Sequence, residues 1–107
     1  HSPADMTICS IVVSELLYGV ERALPAHRAN NRRKVEQLRQ QFASLPFDDA
    51  AAEVCGTLRN QLADIGKPIG PNDLLISSIA IANSLILVTH NTAEFSRVPG
   101  LRIEDWQ

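Results

Sequence analysis

From residue 68 through residue 93 the sequence carries a single charged side chain, Asp73. That stretch constrains the fold more than any other. It is entered through Lys67-Pro68-Ile69-Gly70-Pro71, a loop marked by two prolines and a glycine. Asn72 to Asn83 follows, apolar almost all round, and predicts a buried helix. Leu85-Ile86-Leu87-Val88-Thr89 then predicts a buried strand. A carboxylate at the head of such a helix needs a partner, because desolvating an unpaired charge is costly.

The rest of the chain reads in the same alternating way. Residues 7–12 are short, apolar and β-branched, and predict a strand. Residues 14–23 predict a helix with Ser14 as its cap and Glu15 in its first turn, ended by Leu24-Pro25. A second helix is expected over 28–43, with Val35, Leu38, Phe42 and Leu45 toward the core. Asp48 or Asp49 caps a third, which stops at Gly66. Asn91 to Phe95 is a turn or short helix, 98–100 a turn, and Leu101-Arg102-Ile103 a last edge strand. Strands alternating with helices imply an α/β fold on a parallel sheet covered on both faces, with its site at the carboxyl ends of the strands. At 107 residues this is expected to be one domain, 1–107.

Three isolated acids carry the chemical signal. Glu15 is the only charged residue from 6 through 20 and follows the first expected strand. Asp73 heads the apolar helix, and Glu94 follows the strand at 85–89. Each has a plain structural explanation: Asp73 and Glu15 as first-turn acids that complement a helix dipole, Glu94 as a surface acid. Together they suggest three carboxylates around one cleft, which repel unless a cation sits between them. Mg²⁺ or Mn²⁺ prefers such oxygen donors. The implied chemistry is metal-assisted phosphodiester hydrolysis. Carboxylates alone do not choose between a nuclease, a phosphatase and a plain cation site.

Three motifs narrow the choice. Ser10-Ile11-Val12-Val13-Ser14-Glu15-Leu16-Leu17-Tyr18-Gly19-Val20-Glu21, then Gly66-Lys67-Pro68-Ile69-Gly70-Pro71-Asn72-Asp73-Leu74-Leu75-Ile76, then Leu87-Val88-Thr89-His90-Asn91-Thr92-Ala93-Glu94-Phe95 through Leu101 stand in order along nearly the whole chain. In that order they resemble the motifs of VapC-type PIN domains, ribonuclease toxins of type II toxin–antitoxin pairs. The resemblance implies a three-layer α/β/α sandwich on a central parallel sheet. It implies a Mg²⁺- or Mn²⁺-dependent endoribonuclease that cuts structured RNA such as tRNA, bound by a cognate antitoxin and usually a homodimer. By motif position Glu15 and Asp73 match the family's metal-site acids, and Glu94, the acid before Phe in the last motif, is the third expected ligand. Asn91 stands where many PIN domains carry an Asp and so is expected as a neutral ligand or water positioner, and Thr89 matches a hydroxyl lining the same cleft. The family's first strand, ending in an Asp, is expected to be missing from this chain. Asp5 does not replace it, because it precedes its strand. The chain is therefore expected to bind metal weakly and cleave slowly. The alternative reading is a catalytically inactive PIN fragment that keeps an antitoxin-binding or dimerisation surface.

Composition excludes other classes. No apolar run reaches transmembrane length and the first residues lack a signal-peptide pattern, so a soluble, cytoplasmic chain without membrane partners is expected. Cys9 and Cys55 read as reduced core thiols, and three histidines with one cysteine in each half argue against zinc. Net charge is −2, but residues 1–44 hold six basic and four acidic groups and residues 45–107 four and eight. Arg28, Arg32, Arg33, Lys34 and Arg39 crowd one segment with a single acid, Glu36. With Arg97 they are candidate RNA-phosphate contacts; the plain alternative is a solvated helix face. Most of the five aromatic residues fall in apolar runs and are expected in the core; Trp106 is expected to pin the C-terminus, and His90, beside the proposed cleft, reads as a polar loop residue or a general acid.

Overall fold

A computed structural model describes residues 7–89 and 91–105, the side chains of residues 7–9 excepted. The expectations for Asp5, His90, Trp106 and the Cys9 thiol lie outside the described residues. The chain divides into two compact units, His1–Pro46 and Phe47–Gln107.

In the first unit β1 (Thr7–Cys9) leads straight into α1 (Ser10–Arg22), followed by α2 (Pro25–Gln41) and β2 (Ala43–Leu45). The strand expected over 7–12 is therefore cut to half its length. Ser10, Ile11 and Val12 are helical because Val13 and Val20, two turns apart, turn one face inward and are buried. A short β-branched run cannot be told from a buried helical segment by its own composition. Ser14 is consequently no cap, and Glu15 lies in the second turn of α1, exposed. Pro25 both prevents continuation of α1 and opens α2 at a position where its missing N–H costs nothing. Val35 is the buried residue of α2; Leu38 and Phe42 are half-buried beside it. β1 and β2 pair in parallel, Thr7 opposite Ala43 and Cys9 opposite Leu45. Such a pair requires a long crossover, here α1 and α2. Tyr18, though it stands in an apolar run, is 67% exposed.

The second unit runs α3 (Asp49–Asp64), α4 (Pro71–Ala82), β3 (Ile86–Val88), α5 (Thr92–Phe95) and β4 (Arg102–Glu104). Asp48 caps α3 through a 3.0 Å bond from the Ala51 N–H. Gly66, at φ +69°, ends that helix in a Schellman turn: its N–H bonds the Ala63 carbonyl and the Lys67 N–H bonds Leu62. α3 packs on α4, where Leu58 and Leu62 are buried on one and Ile76, Ile79 and Ala80 on the other. Cys55, on α3, is a half-buried free thiol. β3 and β4 pair in parallel across α5, Ile86 opposite Arg102 and Val88 opposite Glu104. The parallel pairing matches expectation, but among the described residues it is carried by two two-stranded sheets.

Candidate active site

The head of α4 is where the second unit concentrates its chemistry. Gly70 is the N-cap and Pro71 the first helical residue, so Asp73 falls at the third position of the first turn. Gly70 has no side chain with which to cap that end. The Gly70 N–H instead donates to Glu94 Oε1 at 2.7 Å, across a separation of 24 residues. In the usual capping box an acid at the third helical position reaches back to that N–H. Here Glu94 takes it, and Asp73 is not needed for that bond.

Glu94 is held from its other side as well. Asn91 Nδ2 donates to Glu94 Oε2 at 3.0 Å, and the Asn91 N–H donates to Thr89 Oγ1 at 3.0 Å. Thr89 is tied to the sheet end by its own N–H, which donates to the Glu104 carbonyl at 3.0 Å. Phe95 and Val98, 5% and 4% exposed, anchor α5 in the core and so leave Glu94 and Arg97 on the outer side. The Gly70 N–H, above all, and the Asn91 amide hold the Glu94 carboxyl below the usual carboxylate range; the Asp73 side chain and the Arg97 charge act the same way, against desolvation.

Asp73 and Glu94 thus stand carboxyl to carboxyl. A Cβ on Gly70 would lie 3.6 Å from Glu94 Oε1 and 3.9 Å from Asp73 Oδ2, which places both acids around one glycine. Two carboxyls within hydrogen-bonding reach share a proton or face a cation, since both cannot ionise cheaply side by side. Each Glu94 oxygen accepts one N–H and has a further lone pair, and Asn91 and Thr89 add neutral oxygens. That all-oxygen set fits a hard divalent cation. Among the described residues no group of three or more His, Cys, Asp or Glu is arranged to hold a metal ion.

Asp73, Glu94, Asn91 and Thr89, each singled out by sequence, belong to this one arrangement. Glu15 belongs to the first unit, on the exposed face of α1. Sequence reasoning missed the Gly70 backbone N–H and the influence of Arg97 on Glu94. The second was legible as an acid and a base three residues apart in a helical segment. The first was not, because a backbone donor leaves no mark on composition.

The family model described as the PIN domain matches residues 1–101. Over 101 residues the chain is 43% identical to the tRNA(fMet)-specific endonuclease VapC of Salmonella typhimurium, a match covering 94% of this chain and 75% of that protein. It is 39% identical to Ribonuclease VapC2 of Rickettsia felis, covering 94% of this chain and 74% of that protein. The structure of DNA-bound VapBC from Salmonella typhimurium superposes with a TM-score of 0.93 at 40% identity, over 98% of this chain and 78% of that one. These likenesses bear out the α/β fold read from the sequence. The chain belongs to the PIN-domain family, on its VapC branch.

Proposed function

We propose that this chain is an endoribonuclease of the VapC type, the toxin of a toxin–antitoxin pair, and that its cleavage depends on Mg²⁺ or Mn²⁺. The observation that carries this reading is the Asp73–Glu94 carboxyl pair, fixed at the head of α4 by the Gly70 N–H and the Asn91 amide. Its support is the kinship with proteins named as ribonucleases. Asp73 and Glu94 are the proposed ligands within the second unit, and Glu15 is a proposed ligand by motif position alone. A divalent cation held there would acidify the attacking water and offset charge building on the scissile phosphate. The chain's own contribution is positional. Asn91 and Gly70 fix the Glu94 carboxylate, the anchored α4 presents Asp73 beside it, and Thr89 fixes the Asn91 backbone.

The proposed substrate is structured RNA, tRNA first, after the Salmonella relative named as tRNA(fMet)-specific. A cognate antitoxin is the proposed protein partner, after neighbours solved as VapBC complexes, and a homodimer the proposed assembly. Among the described residues no helix is long and apolar enough to cross a membrane, and the cytoplasm is the proposed place of action.

The test is cleavage of tRNA by the chain and by its Asp73→Ala variant, with Mn²⁺ and with a chelator. We expect metal-dependent cleavage that falls by about 100-fold or more in the variant, the loss of several kcal/mol of charge stabilisation. Cleavage that survives chelation would remove the metal from the proposal. No cleavage by either protein, with binding to a cognate antitoxin retained, would favour the inactive alternative.

A further inference from the structure

α2 gathers half of the chain's ten basic residues in a protein of net charge −2. Helical spacing puts Arg28, Arg32 and Arg39 on one stripe, with Arg33 about 100° round from it on the solvent side and Lys34 on the opposite flank. The stripe extends about 16 Å along the axis. All five side chains are exposed. Glu36 is the one acid of the helix, and Arg32 and Arg39 share it at 3.8 and 3.4 Å, with all three side chains between 43% and 53% exposed. Ion pairs that open hold their partners weakly.

This arrangement works against the helix that carries it. Arg28 and Arg32 are like charges one turn apart, which destabilises a helix. The first turn of α2 has no acid and its N-cap, Leu24, no side-chain bond, so Arg28 there opposes the dipole of its own helix. The cost is understandable if an anion covers the stripe.

We propose that the α2 stripe, Arg32, Arg33 and Arg39 with Arg28 at its end, binds the phosphate backbone of the RNA substrate. The inference rests on the endoribonuclease reading and adds to it a binding surface outside the carboxylate site. Guanidinium groups match phosphate oxygens in pairs, and Arg outnumbers Lys four to one here. An acidic protein partner is disfavoured because interfaces between proteins are anchored by buried apolar or aromatic side chains. Among the described residues the one large exposed hydrophobic on α2 is its N-cap, Leu24, and none lies along the helix from Pro25 to Gln41. Phosphate binding of this kind reads no sequence, so the stripe supplies affinity and register, not choice of cleavage site.

The test uses the full chain and a labelled tRNA, followed by fluorescence anisotropy across a salt series, with cleavage measured in parallel in Mn²⁺. One variant carries Arg32→Gln, Arg33→Gln and Arg39→Gln. Arg28 is spared because its guanidinium bonds the Glu21 and Ala23 carbonyls at the end of α1. A second variant of equal net charge carries Lys34→Gln, Arg59→Gln and Lys67→Gln. We expect the stripe variant to bind about 10-fold or more weakly, with the salt slope reduced by roughly 0.7–0.9 for each phosphate no longer neutralised. The charge-matched variant should stay close to the parent. Equal loss in both variants would overturn the proposal in favour of a general charge effect. Unchanged affinity in the stripe variant, with cleavage by the parent intact, would overturn it alone and leave the face to an acidic protein. RNA binding lost from the stripe variant in a chain that never cleaves would support the surface while removing the nuclease reading.

Discussion

At the scale of single residues, Glu94 does two jobs that substitutions can separate. Its oxygens accept the Gly70 and Asn91 N–H groups, and its charge faces Asp73. Glu94→Gln keeps an oxygen for the Gly70 N–H but loses the charge. Glu94→Ala loses both. Cleavage is expected to fall by about 10-fold or more in each, as for groups that support a metal site. Thermal unfolding at neutral pH is expected to drop in both, and further in Glu94→Ala, which also loses the acceptor oxygens. The pH dependence follows from the sign of the shift. A carboxyl whose folded pKa is lowered stabilises the fold above its unfolded pKa and loses that contribution as pH falls through the lowered value. The advantage of the parent over Glu94→Ala should therefore be full near neutrality and shrink in acid, below the ordinary carboxylate range. Equal unfolding temperatures at all pH values would show that the Gly70 bond holds nothing together. The site was legible in its acids because a lone charge in an apolar run stands out. The bond that orders them joins residues 24 apart and was not.

At the scale of elements, the sequence was clearest where a residue type has one physical use. Asp48 as the cap of α3, Gly66 as its left-handed stop and Pro71 at the head of α4 are such cases. It was least clear at residues 10–12, where β-branched residues allow strand or helix and packing of Val13 and Val20 decides. One element end is built with the wrong residue for its shape. α4 closes in a Schellman turn, with the Ser84 N–H on the Ile81 carbonyl and the Leu85 N–H on Ala80, and Ser84 sits at φ 55°. That left-handed conformation costs a residue with a Cβ about 1–2 kcal/mol, while glycine gives back up to about 1 kcal/mol in unfolded-chain entropy. Ser84→Gly is expected to stabilise by about 0.5–1 kcal/mol, read from the midpoint of urea unfolding. The 2.8 Å bond from Arg102 to the Ser84 carbonyl is unaffected, being to the backbone. A destabilised variant would mean that the serine hydroxyl has a role there.

At the scale of the whole molecule, stability and the proposed metal are one equilibrium. A domain of this length has about 5–15 kcal/mol of folding free energy, so a ligand bound only by the native state is readily seen. The Asp73–Glu94 pair exists only when α4 and α5 are folded, since their heads lie far apart in sequence. A cation bound there only by the folded chain must therefore raise the unfolding temperature. At 100 times its dissociation constant the gain is about 2.7 kcal/mol, on the order of 10 °C for a chain of this size. The expected result is a rise with Mn²⁺ that saturates, is reversed by chelation, and is absent in Asp73→Asn. The variant supplies the decisive contrast. It lacks one of the two carboxylates, so it should gain little from metal. A parent that likewise gains nothing from Mn²⁺ or Mg²⁺ would mean that the pair holds a shared proton in place of a cation. Cleavage by this chain would then need a different electrophile for its phosphate.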